Sequence, residues 1–525
     1  MFVNAQKLDK NHTIEADICI VGAGAAGITL GRELDGSGKK ICILEGGGNY
    51  RRGKSQSLYD GDILGQHYEL STTRSRYYGG STNCWGGFCR PLSEQDFLPR
   101  SWVDNSGWPI NHSDLDLYYR RAHEVCGIRS GDYDIAAWLK ELNDDHLQPL
   151  PIAGNQVTTE ISQLAPQRRL GEKYRKQLNN SQNVTIYLHI NTTHIQADEG
   201  GKNIQHVKAI TANGRRIQVK ATTFILATGG IENARMLLLS DDVHKNGLGN
   251  ANDMVGRYFM EHPKIISGKV HFDRPFNPDF YDAGYCYFQA PIIASLSLSD
   301  KARGENKLLG CKSYIETMYM GEGSPGVEVI RNAYLDLRAQ TLPKNVVKNA
   351  WLTLKDLPNI YKFIVGKRFR SARFVDHYRL VNILEPEPTR ESRVCLSKDH
   401  DRLGLRKVAL DWRINTSVAT TLLQTQKIID EEMRNSGVGR LEIDPALEQG
   451  KLPETVDWVW HHMGATRMDP DPKKGVVDTD CKVHGLNNLY VAGSSVFPTC
   501  GYDTPTITLI ALALRLADRL QNRTN

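Results

Sequence analysis

Short apolar runs separated by glycine-rich turns stand near both ends of the chain. Residues 17–22 read Asp-Ile-Cys-Ile-Val-Gly, which is typical of a buried strand, and residues 25–34 begin with small residues at helical spacing. A second apolar run at 40–44 ends at Glu45. This order predicts a strand, a helix and a second, parallel strand within roughly 30 residues, as in one βαβ unit.

The same pattern recurs later in the chain. Residues 222–235 form an apolar run, a glycine turn and a helix start, and residues 489–493 form another apolar run that ends in glycine. An amphipathic helix is predicted at 506–520. Between 264 and 450, apolar and polar positions alternate in several patches, for example at 269–272 and 409–414, which indicates antiparallel strands. We therefore predict an α/β fold (α+β overall), a Rossmann-like domain with an inserted antiparallel-sheet domain.

Residues 343–374 differ from their surroundings. Apolar residues recur there at helical spacing, with basic residues among them at Lys348, Lys355, Lys362, Lys367, Arg368 and Arg370. This pattern favours a solvated pair of surface helices. A docking site for a membrane surface or a partner protein is the alternative.

Composition and charge narrow the possible classes. A chain of 525 residues is too long for one simple core, so two domains are expected. The net charge of +5 is not gathered into an aromatic-rich basic stripe, which argues against nucleic acid as a partner. The first 17 residues are polar and no apolar run reaches the ~18 residues of a spanning helix, so no signal peptide or membrane span is predicted.

The ten cysteines are scattered, without a CxxC pair or zinc-ligand spacing. Cys19 and Cys42 lie inside the apolar runs, where cysteine usually acts as a small buried hydrophobe. Free thiols in a large chain favour a reducing compartment. The sequence thus predicts a cytoplasmic protein without a metal site.

The first glycine turn carries candidate chemistry, because Gly22-Ala-Gly24-Ala-Ala26-Gly27 follows a predicted strand and opens a helix. Gly22 permits a tight turn, Gly24 lets the backbone approach a pyrophosphate, and Gly27 lets the helix pack on the strand. Glu45 can accept hydrogen bonds from ribose hydroxyls and would repel a 2′-phosphate, so NADP is disfavoured. This unit alone leaves NAD and FAD both open.

Several further motifs follow in a fixed order, at residues 79–86, 227–235, 255–263, 461–466, 493–498 and 505–508. Together with the first turn they resemble the glucose–methanol–choline (GMC) oxidoreductase family nearly end to end. The pattern is most similar to the bacterial branch with pyranose oxidases and sugar dehydrogenases. The resemblance implies an FAD-binding domain from residues 1–100, 155–263 and 450–525, and a substrate-binding or cap domain from 101–154 and 264–449.

The resemblance also implies which residues contact FAD. Gly22, Gly24, Ala26, Gly27 and Glu45 would hold the ADP half, and Gly80, Ser81, Asn83, Cys84, Trp85 and Gly86 would line the flavin. The remaining implied contacts are Thr192, Ala227, Gly229, Gly493, Ser494, Pro505 and Thr506. Relatives with covalent flavin have a histidine where this chain has Cys84, so we expect non-covalent FAD.

The family's catalytic pair is only half present. His461 matches its first histidine, whereas Thr504 stands where the family has a second His or Asn. A neutral histidine suits the removal of a hydroxyl proton, so His461 is the predicted general base, with hydride transfer from the substrate carbon to flavin N5. The predicted reaction is oxidation of a sugar-like or cyclic secondary alcohol to a ketone, since threonine widens the pocket.

Other residues near these positions have two interpretations. Tyr502 and Asp503 could contact substrate, or could be turn residues beside Gly501. His462 could also contact substrate, but it points away from the site if residues 461–462 lie in a strand. His262 matches a family motif, and a structural role is expected for it.

Two alternative functions follow from the same residues. A flavoprotein lyase or isomerase is suggested by Thr504, because function depends on sites rather than folds. A non-catalytic flavin-binding protein is disfavoured by His461 and the intact glycine motifs. For an oxidoreductase, the expected partners are a small alcohol or glycoside and an electron acceptor, either oxygen, a quinone or a separate protein. Membrane contact is not favoured.

Overall fold

The computed structural model describes residues 1–338, 345–453 and 456–522. Its strands are β1 (Phe2–Asn4), β2 (His12–Glu15), β3 (Ile18–Val21), β4 (Ile41–Glu45), β5 (Gly61–Ile63), β6 (Phe88–Cys89), β7 (Val157–Leu164), β8 (Val184–Leu188), β9 (Ile190–Ala197), β10 (Ile204–Thr211), β11 (Arg216–Lys220), β12 (Thr223–Leu226), β13 (Pro263–Phe272), β14 (Ile292–Leu298), β15 (Cys311–Tyr319), β16 (Val375–Leu384), β17 (Arg393–His400), β18 (Arg406–Asp411), β19 (Gly439–Glu442), β20 (Val456–Trp458) and β21 (Leu489–Val491). Its α-helices are α1 (Ala25–Glu33), α2 (Gly53–Gln56), α3 (Glu94–Phe97), α4 (Asp116–Cys126), α5 (Ile135–Leu142), α6 (Leu170–Asn180), α7 (Glu232–Leu239), α8 (Ala283–Gln289), α9 (Asp300–Glu305), α10 (Pro325–Arg338), α11 (Val346–Lys355), α12 (Leu357–Phe369), α13 (Thr416–Asn435), α14 (Pro445–Glu448) and α15 (Thr506–Asn522).

A parallel sheet with the strand order β1-β8-β4-β3-β12-β21 joins the two ends of the chain. Every residue of β3, β4 and β21 is buried, which explains why these strands read as continuous apolar runs. Helix α1 packs against α6 and α15. The predicted βαβ unit, the strand at 489–491 and the C-terminal helix are therefore confirmed.

The turn between β3 and α1 depends on glycine at two positions. Gly22 has φ +106°, and a Cβ there would lie 2.5 Å from the carbonyl oxygen of Ala227 on the neighbouring strand connection. A Cβ on Gly27 would lie 1.9 Å from the carbonyl oxygen of Gly22. The roles predicted for these two glycines, a tight turn and close packing of helix on strand, agree with this geometry.

A second, antiparallel sheet has the strand order β19-β13-β16-β15-β14-β7-β6, with β20 also paired to β13. Helix α13 packs against it. Its core is separate from that of the parallel sheet and includes Ile161, Phe280, Ile315 and Leu380. The predicted fold class, a Rossmann-like domain combined with an antiparallel-sheet domain, is confirmed.

Several segments cross the predicted domain boundaries, among them β6, β7, β20 and the β17–β18 hairpin. Strand β7 pairs with β14 in the antiparallel sheet, although residues 155–263 were expected in the FAD-binding domain. The β17–β18 hairpin lies within 264–449, yet β18 pairs with β5 and its Leu410 belongs to the core of the parallel sheet. The exact division into two domains stays a prediction.

Helices α11 and α12 account for most of the basic segment 343–374, whose first two residues lie outside the described part of the chain. Helix α12 rests on β15, where Gly366 fits against Tyr319. All ten cysteines are free thiols, and Cys19 and Cys42 are buried as expected. Within the described residues, no helix combines the length and apolar character needed to cross a bilayer.

Candidate active site

A cavity of about 760 Å³ is lined by both sheets. The parallel sheet contributes residues at the carboxyl ends of β3, β4, β12 and β21, among them Gly22, Glu45, Ala227 and Gly493. Ligands of open parallel sheets bind at this edge. The antiparallel sheet contributes the opposite wall, from β13, β15 and β16. This volume lies within the range of binding sites for large organic ligands.

Glu45 shapes the wall at the end of β4. Its carboxylate accepts hydrogen bonds from the backbone N–H of Ala23 at 3.2 Å and of Gly47 at 2.7 Å, one on each oxygen. Each oxygen keeps a lone pair for a further donor. Glu45 therefore holds the glycine turn in place and can still accept a hydrogen bond from a ligand hydroxyl.

His461 lines the cavity from the loop after β20 and is held by two consecutive residues. Its backbone N–H donates to the buried carboxylate of Glu261 at 2.9 Å, and its ring Nδ1 lies 2.9 Å from Nδ1 of His262. Nε2 of His262 in turn lies 2.9 Å from the carbonyl oxygen of Gly501. Backbone and ring of His461 are thus both fixed.

These contacts determine where the protons lie. A carbonyl can only accept, so Nε2 of His262 carries the proton and donates it to Gly501. In neutral His262, Nδ1 is then an acceptor, and Nδ1–H of His461 donates to it. Neutral His461 consequently has its lone pair on Nε2, the atom expected to take a proton from a ligand in the cavity.

Burial keeps both rings neutral. It lowers the pKa of His262 to about 4, and the nearby charge of Lys312 acts in the same direction. Burial also lowers the pKa of His461 well below 6.5, and the neighbouring His262 and the positive charge of Lys312 act in the same direction. At neutral pH His461 is therefore an unprotonated base.

The backbone turns sharply just before this base. Trp460, which also lines the cavity, has φ +68°, a left-handed conformation that costs a non-glycine residue about 1–2 kcal/mol. Glu261 compensates by accepting both from the N–H of His461 and, at 2.6 Å, from the hydroxyl of Tyr68. Burial raises the pKa of Glu261 to about 7. Such strain often accompanies functional sites.

The opposite wall carries a buried positive charge. Lys312 on β15 forms an ion pair with Asp503 at 2.8 Å, and both side chains are 3% exposed. Arg90 lies 3.6 Å from the other oxygen of Asp503. Because Lys312 has two further N–H protons and lines the cavity, it can donate to a ligand oxygen there.

Comparison with known proteins shows which family this chain resembles. The model of the GMC oxidoreductase family matches residues 388–513. The chain is 23% identical to the fructose dehydrogenase large subunit of Gluconobacter japonicus, over 98% of this chain and 99% of that one. It is 22% identical to 2-methyl-1,2-propanediol dehydrogenase of Mycolicibacterium austroafricanum, over 97% and 96% of the two chains. Residues 388–513 therefore match the GMC oxidoreductase model, and the similarity to these two dehydrogenases extends over nearly the whole chain.

The fold comparison agrees with the two-sheet architecture described above. The crystal structure of pyridoxine 4-oxidase from Mesorbium loti superposes with a TM-score of 0.62 at 15% identity, covering 97% of this chain and 100% of that one. The family match and the similar dehydrogenases support an FAD-dependent enzyme that acts on CH–OH groups.

Most of the predicted cofactor residues line this cavity. They are Gly22, Gly24, Ala26, Glu45, Gly80, Ser81, Cys84, Trp85, Gly86, Thr192, Ala227, Gly229, Gly493, Ser494, Pro505 and Thr506. The hydroxyl of Thr192 is buried and has no hydrogen-bond partner among the described residues. An unsatisfied hydroxyl in a glycine-lined cavity fits a bound polar ligand such as FAD.

Gly27 and Asn83 lie outside the cavity lining. Gly27 instead packs α1 against the turn, and the side-chain amide of Asn83 donates to the carbonyl oxygen of Tyr78 at 2.9 Å. Both residues support the cavity wall from behind.

The predicted catalytic and substrate residues separate into two groups. His461, His462 and Thr504 line the cavity. Tyr502 and Asp503 lie behind its wall, where Tyr502 donates to Glu160 at 3.3 Å and Asp503 pairs with Lys312. Direct substrate contact by Tyr502 and Asp503 does not agree with this geometry, because other protein groups already occupy their polar atoms.

His462 is fixed by its neighbours. Its Nε2 lies 2.6 Å from the hydroxyl of Tyr68, and its ring stacks on Phe259. Residues 461–462 lie in the loop after β20 rather than in a strand, so strand alternation does not decide their directions. The direction of the His462 ring is set by its hydrogen bond to Tyr68 and by its burial, which leave His461 as the accessible base.

The sequence did not predict a role in the active site for three residues that the structure places there. His262 was expected to be structural, yet its ring bonds to His461; Glu261, beside it, holds the backbone of His461; and Lys312 supplies the cation. The adjacency of Glu261 and His262 in a family motif was a usable signal. No sequence motif around Lys312 indicates that it lies in the site.

Proposed function

We propose that this enzyme oxidises a secondary alcohol of a sugar-like or cyclic polyol to a ketone, with Nε2 of His461 as the general base. The observation that carries the proposal is the hydrogen-bonded series Gly501–His262–His461, which leaves a lone pair on Nε2 of a ring that lines the cavity. A neutral base beside a glycine-lined dinucleotide cavity suits removal of a hydroxyl proton.

The cavity residues named above would hold FAD, which when bound supplies the acceptor for the hydride from the substrate carbon. The chain's own residues bind and orient the alcohol and move its hydroxyl proton. Lys312 is placed to favour negative charge that develops on the substrate oxygen as His461 takes the proton. Lys312 thus supplies part of what the family's second His or Asn usually contributes.

Thr504 has a different role from the second His or Asn of the family. Its hydroxyl donates to the carbonyl oxygen of Phe88 at 2.8 Å, so its proton is already engaged. Only lone pairs remain for a ligand. We infer that Thr504 accepts a hydrogen bond from a substrate hydroxyl next to the reacting carbon, and that the shorter side chain admits a ring.

The name of one relative, fructose dehydrogenase, supports a sugar-like polyol substrate. The name 2-methyl-1,2-propanediol dehydrogenase supports a polyol but not the secondary position, because the second hydroxyl of that diol is on a tertiary carbon. The test compares cyclic polyols with primary alcohols of matched size, using a dye as electron acceptor and NMR to identify the product. We expect ketone formation with cyclic polyols and much lower kcat/KM with the primary alcohols. A preference for primary alcohols would contradict the proposal, and elimination or isomerisation without dye reduction would favour the lyase or isomerase alternative.

The lowered pKa of His461 predicts the pH dependence of kcat/KM. Only the neutral ring accepts a proton, and burial lowers its pKa well below 6.5, so activity should persist below pH 6.5 and fall only as the pH passes through the lowered value. The profile is measured with rates normalised to flavin content. That control matters because acid also destabilises a fold whose buried histidines have lowered pKa values. An acid limb at or above pH 6.5 would be inconsistent with this base.

Removing the charge of Lys312 should move that acid limb upwards, because the charge lowers the pKa of both His461 and His262. We expect Lys312→Met to shift the limb towards 6.5 and to reduce kcat by about 10²-fold, the usual loss for one preorganised donor. Lys312→Arg should retain the wild-type limb.

Lys264→Met is the matched control, since Lys264 also lines the cavity but pairs with exposed Asp457. If Lys264→Met and Lys312→Met change the pH profile equally, Lys312 has no special role. An unchanged acid limb in a folded, flavin-loaded Lys312→Met enzyme would have the same meaning.

A further inference from the structure

Helices α11 and α12 present an unusual amount of apolar surface to solvent. Eight large apolar side chains there are each more than half exposed, namely Val346, Val347, Trp351, Leu354, Leu357, Tyr361, Ile364 and Phe369. We call these eight residues the apolar surface. Single exposed apolar residues are ordinary, but a group of this size on two consecutive helices marks an interaction site.

The same helices are positively charged. Lys348, Lys355, Lys367 and Arg368 are exposed, Lys362 is partly exposed, and Asp356 is the one acidic residue in the sequence from 345 to 369. Asp356 already accepts from the backbone N–H of Gly326 at 2.7 Å and from the side chain of Asn359. In the described part of the chain none of these five cations forms an ion pair, so they are available to an external anion.

Charged and apolar groups lie side by side on this surface. The ammonium of Lys355 lies 3.9 Å from the ring centre of Trp351, and that of Lys367 lies 5.2 Å from the ring centre of Phe363. Lysine stems that run along apolar groups and end in a charge suit a boundary between hydrocarbon and water. Tryptophan and tyrosine also prefer this boundary.

A second copy of the chain is a poor occupant. A two-fold contact would place the same patch on itself, so the lysines and arginines of both copies would face one another. An anionic lipid surface instead supplies acyl chains for the apolar groups and phosphates for the cations. We propose that α11 and α12 bind this enzyme to the surface of an anionic lipid bilayer.

The surface is anchored to the wall of the active-site cavity. Arg370, the residue after α12, forms ion pairs with Asp279 and with Asp282, the latter at 2.8 Å. Asp282 accepts from the N–H of Gly284 at the start of α8, and Ala283 of that helix lines the cavity. Bilayer binding through α12 would therefore hold the cavity in a defined position relative to the membrane. The inference does not depend on the substrate proposed above.

Sedimentation of the purified holoenzyme with vesicles tests the inference. We expect the enzyme to pellet with phosphatidylcholine vesicles that contain phosphatidylglycerol, to bind pure phosphatidylcholine at least about tenfold more weakly, and to dissociate as salt is raised. Two triple variants should each lose binding to the anionic vesicles while keeping activity in solution. They are Trp351→Ser with Leu354→Ser and Phe369→Ser, and Lys355→Glu with Lys362→Glu and Lys367→Glu.

Matched variants elsewhere on the surface serve as controls. Leu64→Ser with Leu117→Ser and Phe288→Ser removes three equally exposed apolar groups, and Lys7→Glu with Lys202→Glu and Lys473→Glu reverses three exposed charges. Both should bind vesicles like the wild type. The inference is overturned if the wild type binds neither vesicle, if the controls lose binding equally, or if the apolar variant only dissolves a dimer.

Discussion

Replacing His461 with alanine is expected to slow reduction of the bound flavin by alcohols about 10²–10⁴-fold, the range typical for loss of a positioned general base. The hydrogen bond to His262 leaves the lone pair on Nε2 of His461 available in the cavity. The ring of His462 is already hydrogen-bonded to the hydroxyl of Tyr68. The rate is measured by mixing enzyme and substrate without oxygen and following the visible absorbance of oxidised flavin. The variant should bind FAD normally.

Two comparisons make this result specific. High concentrations of imidazole should partly restore the rate in His461→Ala, because the removed ring leaves space for it. His462→Ala should keep substantial activity, since that ring packs on Phe259 and Tyr68. If His461→Ala is reduced at the wild-type rate, or if only His462→Ala is impaired, His461 is not the base.

Replacing Gly22 with alanine is expected to yield a protein that purifies without FAD. The added Cβ would lie 2.5 Å from the carbonyl oxygen of Ala227, so β3 and β12 would have to separate at the edge where the cofactor cavity begins. Conformational strain at φ +106° adds about 1–2 kcal/mol. Flavin content after gel filtration, from the ratio of visible to ultraviolet absorbance, measures the loss.

Gly214→Ala is the matched control. Gly214 also has a positive φ, +85°, but a Cβ there would meet no atom within 4 Å. The control therefore carries the same kind of backbone strain without the overlap, and it should retain FAD. Equal flavin content in both variants would show that the close approach at Gly22 is not required for cofactor binding.

The nucleotide-binding half of the fold could be predicted from sequence because its features are local. Strands β3 and β4 are wholly buried, so they read as unbroken apolar runs. Glycine is required at Gly22 by its positive φ, and at Gly27 by its close contact with the carbonyl oxygen of Gly22. Residues at the ends of such strands meet at one edge of the sheet. The family resemblance implied Ala227 and Gly493 as cofactor residues beside Glu45, and this rule explains why all three line one cavity.

The rest of the site depends on contacts between distant parts of the chain. His262 and His461 are separated by 199 positions in the sequence, and Lys312 and Asp503 are separated by 191. No local sequence pattern predicts that either pair is in contact. Asp503 and Tyr502 follow Gly501 as turn residues do, but their partners Lys312 and Glu160 turn them away from the cavity. Strand β7 likewise joins the antiparallel sheet through pairing with β14.

A single turnover of the wild-type holoenzyme in the absence of oxygen tests directly whether the bound flavin oxidises an alcohol. When the enzyme is mixed with a cyclic polyol, we expect the absorbance of oxidised flavin to disappear and one ketone to form for each flavin reduced. A flavin that stays oxidised with every alcohol tried, while a substrate is eliminated or isomerised, would contradict this expectation.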